Sequence, residues 1–139
     1  MNTKGNGFAH VMLRITLGLI FVAHGNFKLS WGMDQLAGWL GQQGFPLPDV
    51  IAPLLTSVEL LGGLLLMIGV GTRYIAALFS IILLVAIFKV KLAVGFIAAN
   101  ATGYELDVIL VVVCLFVALT GESRLDKAIR ARFQREVRE

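Results

Sequence analysis

Four apolar runs divide the chain, and the polar positions inside them are few enough to name. They are Phe8 to about Phe27, Val50 to Gly71, Tyr74 to about Val94, and Tyr104 to Thr120. A helix rising ~1.5 Å per residue needs ~20 apolar residues to cross a ~30 Å hydrocarbon core, and the runs come close to that length. The expected fold is all-α, an integral membrane four-helix bundle in one domain over residues 1–139. The breaks agree with this reading. Thr72–Arg73 makes a tight turn between runs two and three, and Gly95–Gly103 is a short loop before run four. The connector Leu29–Asp49 has two glycine–proline stops, at Gly32 and Gly44–Pro48. Between them, Met33–Gln43 places Leu36, Trp39 and Leu40 at helical spacing. That segment is too short to span and suits an interfacial or re-entrant helix, with Trp31 and Trp39 at headgroup level. The first run keeps polar residues and has only a weak small-residue cleavage pattern, so it reads as a span rather than a signal peptide.

After the last run the pattern changes. Leu125, Ile129, Phe133 and Val137 recur every four residues, and Arg124, Lys127, Arg130, Arg135 and Arg138 fill much of the rest. Ser123 can cap this segment. The spacing predicts a basic amphipathic helix over Ser123–Glu139, in a tail over 121–139, suited to anionic lipid headgroups or to plain solvation.

Composition strengthens the membrane reading. The chain has 139 residues and is 58% hydrophobic, against about 45–50% in soluble domains; its mean hydropathy is +0.84. The net charge of +3 matters less than its placement. With four spans, Lys4, Arg14, Arg73 and the six basic residues from Arg124 to Arg138 share one side; Lys28, Lys89 and Lys91 take the other. The positive-inside rule then places both termini in the cytoplasm and the Leu29–Asp49 connector outside. Cys114 is the one cysteine. It cannot form an intramolecular disulfide, which argues against dithiol chemistry within one chain, and it fits as a small buried hydrophobe.

The candidate chemistry centres on Glu59, in the middle of the second run. An ionised carboxylate there costs about 2.5–3.5 kcal/mol on insertion scales, so a partner or a proton is expected. Gly62 and Gly63 share its face and let another helix approach closely. Counting from the outer ends at ~1.5 Å per residue puts Glu59 level with Gly18–Leu19. Arg14 is then about 7 Å deeper and His24 about 7 Å shallower. Arg14 is the expected partner in a buried ion pair with Glu59, and His24 approaches from above. His24, Lys28, Glu59, Lys89 and Glu105 are expected to line one polar pocket opening outward between the helices. Glu105 and Asp107 are two apart and point to nearly opposite faces, and Glu105 is the one expected to face inward. Each residue also has a plainer role: an ion pair that fixes register, lysines that snorkel to headgroups, a hydrogen-bonded interface histidine.

Several chemistries are excluded. His10 and His24 sit near opposite ends of one helix and do not make a bis-histidine haem pair. No spacing resembles a transition-metal site, and there is no phosphate-binding glycine loop. The basic tail is short and lacks stacking aromatics, which argues against nucleic acid. Sequence alone assigns no catalytic residue, no metal and no cofactor held by the chain.

The runs LRITLGLIFVAHGNFKL and SVELLGGLLLMIGVGTR, then GYELDVIL and GESRLD, resemble DoxX-family membrane proteins in order and spacing, as does the connector GFPLPDVIAPL. The resemblance implies a four-span protein of the bacterial or archaeal inner membrane. It also implies that Arg14, His24, Lys28, Glu59, Arg73, Glu105 and Asp126 correspond to family motif positions. Some relatives are linked to quinone-coupled oxidation or to redox-defence complexes. The resemblance therefore implies a membrane subunit or accessory protein of an oxidoreductase system, with a quinone or a partner subunit carrying the electrons. The same polar cluster also suits a conduit for a small solute, lipid or proton, and the basic tail suits an anchor for a soluble partner. The bilayer is a partner on every reading, and self-association stays open.

Overall fold

The computed structural model describes residues 3–99 and 101–121. The chain over these residues is all-helical, without strands. The expected basic helix over Ser123–Glu139, and Asp126 with it, lie outside them. Helix α1 spans Thr3–Trp31, α2 Met33–Gln42, α3 Pro48–Ile68, α4 Thr72–Ala86 and α5 Glu105–Thr120. A π-helical turn, Ile87–Lys91, extends α4 without a break. Among the described residues, three stretches are long and apolar enough to cross a membrane: Gly7–Trp31, Pro48–Ile68 and Thr72–Lys91. The fourth run forms a helix of 16 residues, about 24 Å long, which falls short of the hydrocarbon core. The protein is a multi-pass membrane protein.

Helix α1 packs along α3, and α4 along α5, with lesser contacts joining the two pairs. Glycine sets the first pairing. A Cβ built at Gly18 would lie 2.5 Å from the Gly63 carbonyl oxygen, and one at Gly63 would lie 2.7 Å from the Gly18 carbonyl oxygen. The two backbones therefore touch, as close crossings in membranes require. Gly62 faces the other way, where its Cβ would meet the Phe79 ring at 2.9 Å. The GG pair thus admits α1 on one side and α4 on the other. Phe21 stacks on Phe79 with ring centroids 3.6 Å apart. These rings join Leu17, Leu66, Leu83, Leu110, Cys114 and Val117 in the main core.

Helix α2 follows a turn at Gly32, whose φ of +100° suits a residue without a Cβ. It buries Leu36, Ala37 and Leu40 against Ala52 of α3, a second core at one end of the molecule. Pro48 starts α3 at its first turn, where a missing N–H costs nothing. Leu47 before it holds φ +47°.

Outer faces and interior reverse the soluble pattern. Phe8, Met12, Leu19 and Phe27 on α1, Leu54 and Leu61 on α3, and Ile81 on α4 are exposed. Thr56, Glu59, Thr72, Ser80 and Asp107 are buried. Apolar surface on this scale needs lipid around it, and the polar groups face the helices.

A cleft with two buried ion pairs

A cleft of about 670 Å³ opens between the helices at the α2 end of the molecule. Helices α1 and α3 furnish Phe21, His24, Phe27, Lys28, Leu55 and Glu59. The α2 region adds Trp31, Trp39, Leu40 and Phe45, and α4, its π turn and α5 add Ile81, Val85, Lys91, Leu106 and Asp107. Most of the wall is aliphatic or aromatic.

Glu59 is 4% exposed. Its place follows from the buried face of α3, which runs through Ala52, Thr56, Glu59, Gly62, Gly63 and Leu66 at steps of three and four. Lys28 Nζ donates to Glu59 Oε1 at 2.5 Å. Glu59 Oε2 is buried and has no hydrogen-bond partner among the described residues. The structure therefore corrects the expected Arg14–Glu59 pair. The reason is axial register. With Gly18 against Gly63 and Gly25 against Leu60, α1 is displaced along α3 from the position that level ends would give. Lys28 arrives opposite Glu59. Arg14 arrives opposite the end of α3, where Nη2 donates to the Met67 carbonyl at 3.4 Å and the guanidinium lies over Gly69. His24 lies on the exposed side of α1, at the rim of the cleft.

The second pair is Lys91 Nζ with Asp107 Oδ2, also at 2.5 Å. The expected pocket named Lys89 and Glu105 instead, and neither lines the cleft. In both couples the residues are two apart and point in different directions, so only one of each reaches the cleft. Lys89 donates to the Gly44 carbonyl at 2.9 Å and stands over the Phe45 ring, tying the end of α4 to the α2–α3 loop. Glu105 turns back on Gly103 in the loop that precedes α5, where Tyr104 and Glu105 donate backbone bonds to Gly95 and Phe96. The pattern did hold a signal for the inward pair. Asp107 continues the stripe Leu110, Cys114, Val117, and Lys91 continues Ala76, Ser80, Leu83, Ile87. The small residues Cys114, Ala76 and Ser80 mark the inward faces.

At the far end lies a separate set. His10 Nε2 and Thr72 Oγ1 are buried without hydrogen-bond partners among the described residues, close to Gly121. Among the described residues no group of three or more His, Cys, Asp or Glu could hold a metal ion.

Apolar helices with polar residues turned inward, around a cleft lined by two lysine–carboxylate pairs, define a small multi-pass membrane protein. The family model for DoxX matches residues 9–92. A protein of Bacillus subtilis (strain 168) named "Putative oxidoreductase CatD" is 37% identical over 111 residues, covering 80% of this chain and 78% of that one. This chain belongs to the DoxX family. No solved structure matches it significantly.

Proposed function

We propose that this chain is the membrane-embedded subunit of an oxidoreductase system, and that its cleft binds the ring of a quinone or its reduced form. One observation carries the reading. Glu59 is buried at the cleft with Oε1 committed to Lys28 and Oε2 uncommitted among the described residues. A buried acceptor without a partner costs about 1–3 kcal/mol. A ligand hydroxyl donating to Oε2 removes that cost.

The donor set and walls fit such a group. Phe21, Phe27, Trp31, Trp39 and Phe45 offer ring faces, and the volume lies within the ~300–1,000 Å³ range of ligand cavities. When bound, a quinone supplies two-electron carriage that no side chain here provides. The chain's own residues bind and move protons. Lys28 holds the carboxylate in place and offers N–H donors to a ring oxygen. Glu59 Oε2 accepts a hydrogen bond, or the proton itself, from a ring hydroxyl. His24 at the rim stands where that proton can leave. The apolar wall keeps water from the ring. The homologue named an oxidoreductase supports the redox assignment. Electrons come from a partner subunit, because a single cysteine offers no dithiol couple. On this reading α5 is the fourth span of a bundle in the bacterial or archaeal inner membrane, with both termini in the cytoplasm, as the basic bias indicates.

Purified protein should carry a lipid-extractable quinone, and decyl-benzoquinol should quench Trp31 and Trp39 fluorescence. Glu59→Gln keeps the shape and weakens that binding about tenfold. Wild-type protein with neither bound quinone nor quenching would overturn the reading.

A further inference from the structure

We infer that the Lys91–Asp107 pair is a second ligand-binding pole, and that the cleft takes an uncharged ring with a hydrogen-bonding oxygen at each end. The inference rests on the quinone reading of the cleft and goes beyond it. Lys91 is the penultimate residue of the region that the family model matches, and Asp107 lies outside it.

Three observations support it. Both pairs line the same cavity but come from different helices: Lys28–Glu59 from α1 and α3, Lys91–Asp107 from the π turn and α5. The cavity thus has two separate polar pairs in an otherwise largely apolar wall, with Thr102 as a further polar lining residue. Charge is the second observation. The charged side chains lining the cleft are these two lysines and two carboxylates, which cancel in pairs. An anionic substrate would meet no net positive field, whereas a neutral ring oxygen can accept from a lysine and a hydroxyl can donate to a carboxylate. The mouth is the third. Phe27 is 67% exposed, Ile81 58% and Val85 41%, and all three line the cleft. Apolar rims of this kind open to lipid, so the ligand enters sideways from the bilayer. Lys91 lies in the π turn that ends α4, with Leu92 N–H bonded to the Ile87 carbonyl at 2.8 Å; such turns recur at functional sites.

The test compares decyl-1,4-benzoquinol with its monomethyl ether, which has one hydroxyl fewer. Affinities are read from Trp31 and Trp39 quenching in detergent. Wild-type protein should prefer the quinol about tenfold. Lys91→Met with Asp107→Leu should abolish the preference, chiefly by weakening quinol binding. Should that double variant fail to fold, Asp107→Asn gives the same readout, with the preference falling about threefold. An unchanged preference in the variants makes the pair structural and overturns the inference, while the reading of the cleft stands. Absence of quenching by both probes in wild-type protein overturns the reading of the cleft and this inference with it.

Discussion

Glu59 has Lys28 as its partner because the position of a side chain along a helix is set by backbone contact, not by hydropathy. Lys28 and Glu59 are 18% and 5% exposed at their side chains, a pair largely withdrawn from water. Removing one member of such a pair typically costs about 3–5 kcal/mol. Lys28→Met is therefore expected to destabilise by that order in detergent unfolding. Lys28→Met combined with Glu59→Leu should recover most of it. Arg14→Leu, by contrast, should show a double-mutant coupling to Glu59 near zero, since Arg14 reaches Met67 rather than Glu59. A large Arg14–Glu59 coupling would contradict the register. At this scale the sequence made Glu59 legible as a carboxylate within a span; of the five residues expected around one pocket, His24, Lys28 and Glu59 line the cleft and Lys89 and Glu105 do not. Lys91 and Asp107 were harder to find, because alternation says that one of two residues faces in without saying which. The deciding signal lay in the buried stripes that these two residues continue.

The elements themselves were mostly legible. The apolar runs became α1, α3, α4 with its π turn, and α5, and the short connector segment became α2. Ends moved by a few residues, with α1 running on to Trp31. The offset between α1 and α3 was not readable, because apolar residues all along a span give no axial marker. It is set by Gly18, Gly25 and Gly63, and their contacts can be tested. Gly63→Ala puts a Cβ 2.7 Å from a backbone oxygen, which cannot rotate away. A cost of about 1–3 kcal/mol is expected, as for overpacking in a core. Gly38 in α2 makes the control, since nothing lies within 4 Å of its Cβ position. Gly38→Ala should raise stability by about 0.5–1 kcal/mol through helix propensity. Thermal unfolding of both variants checks the opposite signs.

For the whole molecule, the number of crossings turns on α5. Helix α5 has 16 residues, so spanning with it requires a locally thinned bilayer, at a fraction of a kcal/mol per ångström of mismatch. Reporter fusions at Gln42 and in the Gly95–Gly103 loop should report one side, and fusions at Arg73 and at the C-terminus the other. A C-terminal reporter on the Gln42 side would show that α5 does not cross. The membrane character was plain in the sequence. So was the length of the fourth helix: the run Tyr104–Thr120 differs from α5 by one residue, where the loop bonds of Tyr104 and Glu105 delay the helix start.

The close pairing of α1 with α3 also bears on how the protein is made. During synthesis α1 enters the membrane first, and α2 must emerge before α3 can reach it. Lys28 then waits near the end of α1 while Glu59 is still in the ribosome. When α3 arrives, the waiting ammonium turns a costly carboxylate into half of a neutral pair. Insertion of the second long span thus depends on the first, and Lys28→Met should lower the fraction of nascent chains in which α3 integrates, measured by glycosylation mapping in a translocation system.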